Sequence, residues 1–122
     1  MIGLLASAAQ AQARLVASRE DSGRLPTVSL GVTFANPKPP RIEVRAQPPD
    51  RVQIRREVLC VKESGSRFED RKIRTKPPFS GRLALTMKKP VVCSFVVGVH
   101  YVEASEPDGS PKRGTIKLRL YR

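Results

Sequence analysis

Residues 90–101 read PVVCSFVVGVHY, with Val91, Cys93, Phe95, Val97, Val99 and Tyr101 at every second position. Alternation over this length gives an extended strand one buried face, whereas a helix would repeat its apolar residues every three to four positions. The same period recurs on both sides of this stretch. Upstream, Val28, Leu30, Val32 and Phe34 alternate with Ser29, Gly31 and Thr33, and Ile42, Val44 and Ala46 alternate with Arg41, Glu43 and Arg45. Val52, Ile54, Val58 and Cys60 share one parity, but Arg56 falls on it too, which predicts a bulge or a sheet-edge position near Arg55-Arg56. Nearer the C-terminus, Leu83, Leu85 and Met87 alternate with Arg82, Ala84 and Thr86, and Ile116, Leu118 and Leu120 with Lys117, Arg119 and Tyr121.

The breaks between these segments are turn chemistry. NPKPP at 36–40, QPPD at 47–50, ESGSR at 63–67 and EPDGSPKRG at 106–114 are rich in residues that pre-set turn dihedrals or cannot donate to a strand ladder. Residues 68–76, FEDRKIRTK, are polar and read as an edge strand or loop, where charge discourages addition of a foreign strand. About seven short strands with regular turns, and no helix-period segment after residue 26, predict an antiparallel β-sandwich over 27–122.

Composition narrows the function classes. The chain has 122 residues, of which 39% are hydrophobic, and it carries a net charge of +12. Its apolar runs are far shorter than the roughly 18 residues of a membrane-spanning helix, so no membrane span is expected. The 11 prolines rule out a helical bundle. Two cysteines and one histidine cannot fill a four-ligand zinc site, and no metal or cofactor is expected. No catalytic set is present either. His100 lies on the parity opposite Cys93 with no nucleophile motif beside it, and the acids at Glu69-Asp70 and at Glu103, Glu106 and Asp108 sit in turn-rich polar stretches. The chain therefore reads as a non-enzyme.

Cys60 and Cys93 both lie on the apolar parity of strand-like segments. A disulfide between them, joining the two sheets, is expected; the alternative is two buried thiols packed as small hydrophobes. A bridge implies an oxidising compartment. Residues 1–13 point the same way: IGLLASAA at 2–9 is apolar, and Ala9-Gln10-Ala11-Gln12-Ala13 offers small-x-small cleavage sites before the first charge at Arg14. This segment resembles the end of a secretory signal peptide, the alternative being an Ala-rich helix over 2–19. Residues 14–26 are left as a flexible lead into the sandwich.

The segment 51–122 resembles an immunoglobulin-like or fibronectin-type sandwich of small secreted bacterial proteins. The residues that carry the resemblance are Val58-Leu59-Cys60, Pro78-Phe79 with Leu83-Ala84-Leu85, Lys89-Pro90-Val91-Val92-Cys93, and Ile116-Lys117-Leu118. It implies an immunoglobulin-like architecture and supplies no activity, because such folds host many functions.

The basic residues are the one feature with functional content. Arg71, Lys72, Arg74 and Lys76 fall within six residues that contain no acid, and Lys117 and Arg119 share a strand face with Tyr121. Close together, they would form a stripe able to track a polyanion; the bland alternative is ordinary solvated strand faces. The expected function is a secreted or cell-envelope binding or assembly module whose partner is an anionic polymer or envelope component. The alternatives are an intracellular nucleic-acid- or ribosome-associated protein, and a virion or filament subunit.

Overall fold

The computed structural model describes residues 14–35, 38–61, 65–74, 76–83 and 90–122, and for 65–70 and 74 it describes the backbone alone. The signal-like segment 1–13 and the residues Leu85, Met87, Lys88 and Lys89 lie outside the described residues. Eight strands follow in order: β1 Leu15–Arg24, β2 Thr27–Ala35, β3 Arg41–Gln47, β4 Val52–Val61, β5 Gly65–Arg74, β6 Phe79–Arg82, β7 Val92–Tyr101 and β8 Arg113–Tyr121. They form two antiparallel four-stranded sheets, β1-β8-β3-β6 and β2-β7-β4-β5. The protein is an all-β sandwich.

Its connectivity follows one rule. β1 pairs with β8, β2 with β7, β3 with β6 and β4 with β5, as in a single long hairpin. That strip is then folded over so that β3 also meets β8 and β4 also meets β7. This is the jelly-roll arrangement. It departs from the immunoglobulin order, in which the first, second, fifth and fourth strands share one sheet. Alternation cannot tell the two apart, because every strand of either fold shows the same period.

The core lies where the alternating rows of both sheets meet. Val28 and Leu30 of β2, Ile42 and Val44 of β3, Val52, Ile54 and Val58 of β4, Phe95, Val97 and Val99 of β7, and Ile116, Leu118 and Leu120 of β8 are all buried. Leu83, just past β6, is buried with them, its amide donating to the Pro40 carbonyl at 2.8 Å. Val91 shares the parity of Cys93 but precedes β7 and is exposed.

Four expectations need correction. The segment read as a lead contains β1, ten residues long and paired along its length with β8. Its side chains are mostly exposed, so it lacks the alternation that marks the others. The strand β6 spans Phe79–Arg82, so Leu83, expected within a strand, follows it, and the rest of the strand expected over 83–87 lies outside the described residues. Arg56 sits on neither a bulge nor an edge: β4 pairs without a break to β5 and β7, and Arg56 points inward opposite Val97. Only 7% exposed, its guanidinium reaches past the apolar layer and donates to the Arg82 carbonyl at 3.5 Å.

The disulfide is the fourth. Cys60 and Cys93 are bonded, but they do not join the sheets. They stand directly opposite each other on the neighbouring strands β4 and β7 of one sheet, with Cα atoms 4.1 Å apart. Stacked sheets lie about 10 Å apart, while close cross-strand pairs approach to about 4.5 Å. Shared parity places both sulfurs on the core face without saying which sheet holds them.

A cationic outer face as candidate anion site

The expected basic residues divide between the two sheets. Lys117, Arg119 and Tyr121 project from the outer face of β8, since Ile116, Leu118 and Leu120 take the inward row. Arg71 and Lys72 are exposed on β5, an edge of the other sheet. Arg71 is opposite Arg55 on that sheet's outer side, and Lys72 is opposite the inward Ile54. Arg74 stands in β5 opposite Val52, and its side chain lies outside the described residues. Lys76 is exposed just before Pro77, where the chain crosses from β5 to β6. The two sets do not make one stripe on one sheet.

The β1-β8-β3-β6 sheet instead gathers cations that sequence reasoning passed over. Arg24 of β1, Arg41 and Arg45 of β3, Arg82 of β6 and Arg113 of β8 share its outer face with Lys117 and Arg119, against the carboxylates Glu20 and Glu43. The register sets like charges directly opposite each other: Arg24 faces Arg113, Arg45 faces Lys117, and Arg41 faces Arg82. Like charges in opposed cross-strand positions destabilise a sheet. Glu43 offsets part of this, with Arg45 at 3.5 Å and Arg41 and Arg119 each at 3.8 Å. Glu20 lies 3.6 Å from Lys117. These ion pairs are longer than the roughly 2.7–2.9 Å of a charge-assisted hydrogen bond. Tyr121 carries the Arg41 guanidinium 4.3 Å from its ring centroid.

The alternation of arginine with apolar residues in Arg41–Gln47 was visible in the sequence. What sequence could not show was that β3 and β6 would be placed beside and beyond β8, turning separate rows into one field. On the outer face of the other sheet, β2 and β7 present Thr27, Ser29, Gly31, Thr33, Ser94, Val96, Gly98 and His100, and its arginines Arg55 and Arg71 lie on the β4–β5 side.

One concavity breaks the cationic face. Arg45, Ala46, Gln47 and Pro49 from the end of β3, Pro77 and Pro78 from the β5–β6 crossing, and Thr115 and Lys117 from β8 line a groove of about 400 Å³. Gly114 lets β3 close on β8 here. A Cβ at that position would come within 2.7 Å of both the Gln47 carbonyl oxygen and the Tyr101 hydroxyl. The Tyr101 hydroxyl in turn donates to the Pro48 carbonyl at 2.9 Å.

Behind that turn sits the tightest ion pair among those described. Lys112, 5% exposed, donates to Asp50 at 2.6 Å and lies 3.6 Å from Glu106. It ties the 106–112 loop to the turn after β3. The hydrogen bond from Lys112 holds the Asp50 carboxyl below its ordinary 3.8, helped by the Arg51 amide. The same bond to Asp50 holds the Lys112 ammonium above its ordinary 10.5. Asp50 therefore contributes stability that is complete above 3.8 and is lost as pH falls through its lower folded value. Lys112 contributes stability that is complete below 10.5 and is lost as pH rises through its higher folded value. Lys112→Met is expected to lower the melting temperature by several degrees at neutral pH, and not to unfold the domain, since Asp50 regains water. Melts of both proteins from pH 2 to 7 check this: the gap should close in acid, and a gap that stays constant with pH would refute the assignment.

Among the described residues no cluster of His, Cys, Asp or Glu is placed to hold a metal ion, and no helix is long and apolar enough to cross a membrane. No family model matches the chain, and no curated protein matches it in sequence.

Proposed function

We propose that the protein is an exported, non-enzymatic binding module that holds an anionic polymer or envelope component on the outer face of the β1-β8-β3-β6 sheet. The observation that carries this reading is the register that sets Arg45 against Lys117 and Arg41 against Arg82. Such pairs weaken the free protein, and a polyanion lying across them relieves the repulsion. The buried Cys60–Cys93 bridge supports an oxidising compartment outside the cytoplasm. Binding to nucleic acid through stacked bases is less well supported, because Arg41 already occupies one face of Tyr121. Capsid and lectin domains share the jelly-roll connectivity, which is an analogy of fold and does not choose a function.

Retention on immobilised heparin and polygalacturonate tests the reading. Binding is expected at low salt and should weaken steeply as salt rises, as when a polyanion releases its counterions. Arg45→Ser with Lys117→Ser should lower the eluting salt concentration more than Arg55→Ser with Arg71→Ser on the opposite sheet. No retention at low salt would overturn the proposal, and equal losses from the two double variants would overturn the choice of face. Mass spectrometry of the protein from its native source tests export: intact Met1 with two free thiols would refute it.

A further inference from the structure

We infer that the groove between β3, β8 and the Pro77-Pro78 crossing is a recognition pocket for one hydroxylated ring bearing a single anionic group, such as a carboxylated or phosphorylated sugar unit. The inference rests on the anion-binding reading above and gives that face a point of chemical selectivity.

Several features converge on this ligand class. The volume of about 400 Å³ falls within the range of small-molecule sites, about 300–1,000 Å³, so the groove suits one residue of a polymer. Arg45 and Lys117 are cross-strand neighbours side by side in its lining, and their carboxylate partners lie 3.5 and 3.6 Å away. Contacts of that length leave both cations able to take a closer anion. The Lys112–Asp50 pair at 2.6 Å shows what a satisfied ion pair looks like in the same molecule. Between and beside the cations, the Gln47 amide and the Thr115 hydroxyl, which shares one hydrogen bond with Ser22 at 2.9 Å and keeps acceptor capacity, suit ring hydroxyls. Pro49, Pro77 and Pro78 supply rigid apolar walls against which the C–H face of a saturated ring can pack. Among the described residues no aromatic side chain lines the groove as a platform for a nucleobase. The walls are also prearranged: Gly114 allows the end of β3 to lie against β8, and the Tyr101 hydroxyl holds the Pro48 carbonyl.

Amide chemical-shift titrations of the full chain with galacturonate, glucose 6-phosphate, glucose and inorganic phosphate test the inference. Galacturonate or glucose 6-phosphate should give saturable shifts at Gln47, Thr115 and Lys117, and which of the two binds more tightly identifies the anionic group. Glucose should give none at the same concentration. Lys117→Gln and Thr115→Val should each raise the dissociation constant about tenfold while leaving the rest of the spectrum in place. His100→Gln, on the other sheet, should leave it unchanged. Inorganic phosphate binding as tightly as either sugar anion would overturn the inference in favour of a simple ion site. Absence of shifts at the groove with both sugar anions would overturn it too. If polymer retention persists in either case, the binding face stands without the pocket; if retention is absent as well, the broader reading falls with it.

Discussion

Reducing the Cys60–Cys93 bridge is expected to lower the melting temperature by about 15–25 °C. The bridge closes a chain loop with a sequence separation of 33. Closing a loop of that size removes denatured-state entropy worth about 4 kcal/mol, and a domain of this length shifts by roughly 4–6 °C per kcal/mol. That the bridge lies within one sheet leaves this magnitude intact, because the term belongs to the unfolded chain. The native-state position governs the kinetics instead. Cys60 is 1% exposed and Cys93 fully buried, so a reductant reaches the sulfurs only when β4 and β7 open. Thiol release under a mild reductant should therefore track global unfolding, and Cys60→Ala with Cys93→Ala should reproduce the lower melting temperature. Rapid reduction of the folded protein, or a melting shift of only a degree or two, would show that the strands hold the sulfurs differently.

Phe95→Ala is expected to cost about 3–5 kcal/mol, much of the total stability of a small domain. Phe95 is fully buried at the middle of β7, between Val32 of β2 and Val58 of β4 in register. Its ring lies 5.9 Å from that of Phe34, tilted at 48°. Truncation removes the largest fully buried side chain among the described residues and leaves a void that the packed sheets can fill only in part. Urea unfolding should show a lower midpoint at an unchanged slope. Phe95→Leu, which keeps most of the volume, should lose much less. Equal losses for the two variants would mean that the site tolerates the missing ring and that the core packs elsewhere.

Residues 90–101 and 52–60 made the fold class legible, because their alternation can only be read as strands with one buried face. The same period hid the connectivity. It assigned Cys60 and Cys93 to the core side and could not say that they were neighbours in one sheet. It passed over β1, whose mostly exposed side chains show no alternation. Arg56 was a visible exception whose solution, a long side chain reaching to the Arg82 carbonyl, depends on where β6 lies. The binding face suffered from the same blindness to neighbours. Lys117, Arg119 and Tyr121 could be read as one strand face, but Arg41, Arg45 and Arg82 join them only through strand order. Arg71 and Lys72, adjacent in sequence and conspicuous there, belong to the other sheet.

The nested pairing has a consequence for the order in which the two sheets can form. The sheet β2-β7-β4-β5 holds both cysteines and needs nothing beyond Tyr101, so it can assemble and close its bridge before β8 has paired. The other sheet cannot. β8 is the shared partner of β1 and β3, and until Arg113–Tyr121 is available, β1 has no neighbour in its sheet at all. A chain stalled before that point presents one finished sheet with its apolar face open, the kind of surface that chaperones recognise and that aggregates when unattended. Arg24 with Arg113 and Arg45 with Lys117 are brought together only when β8 pairs, so the chain can have its staple before most of its charge field.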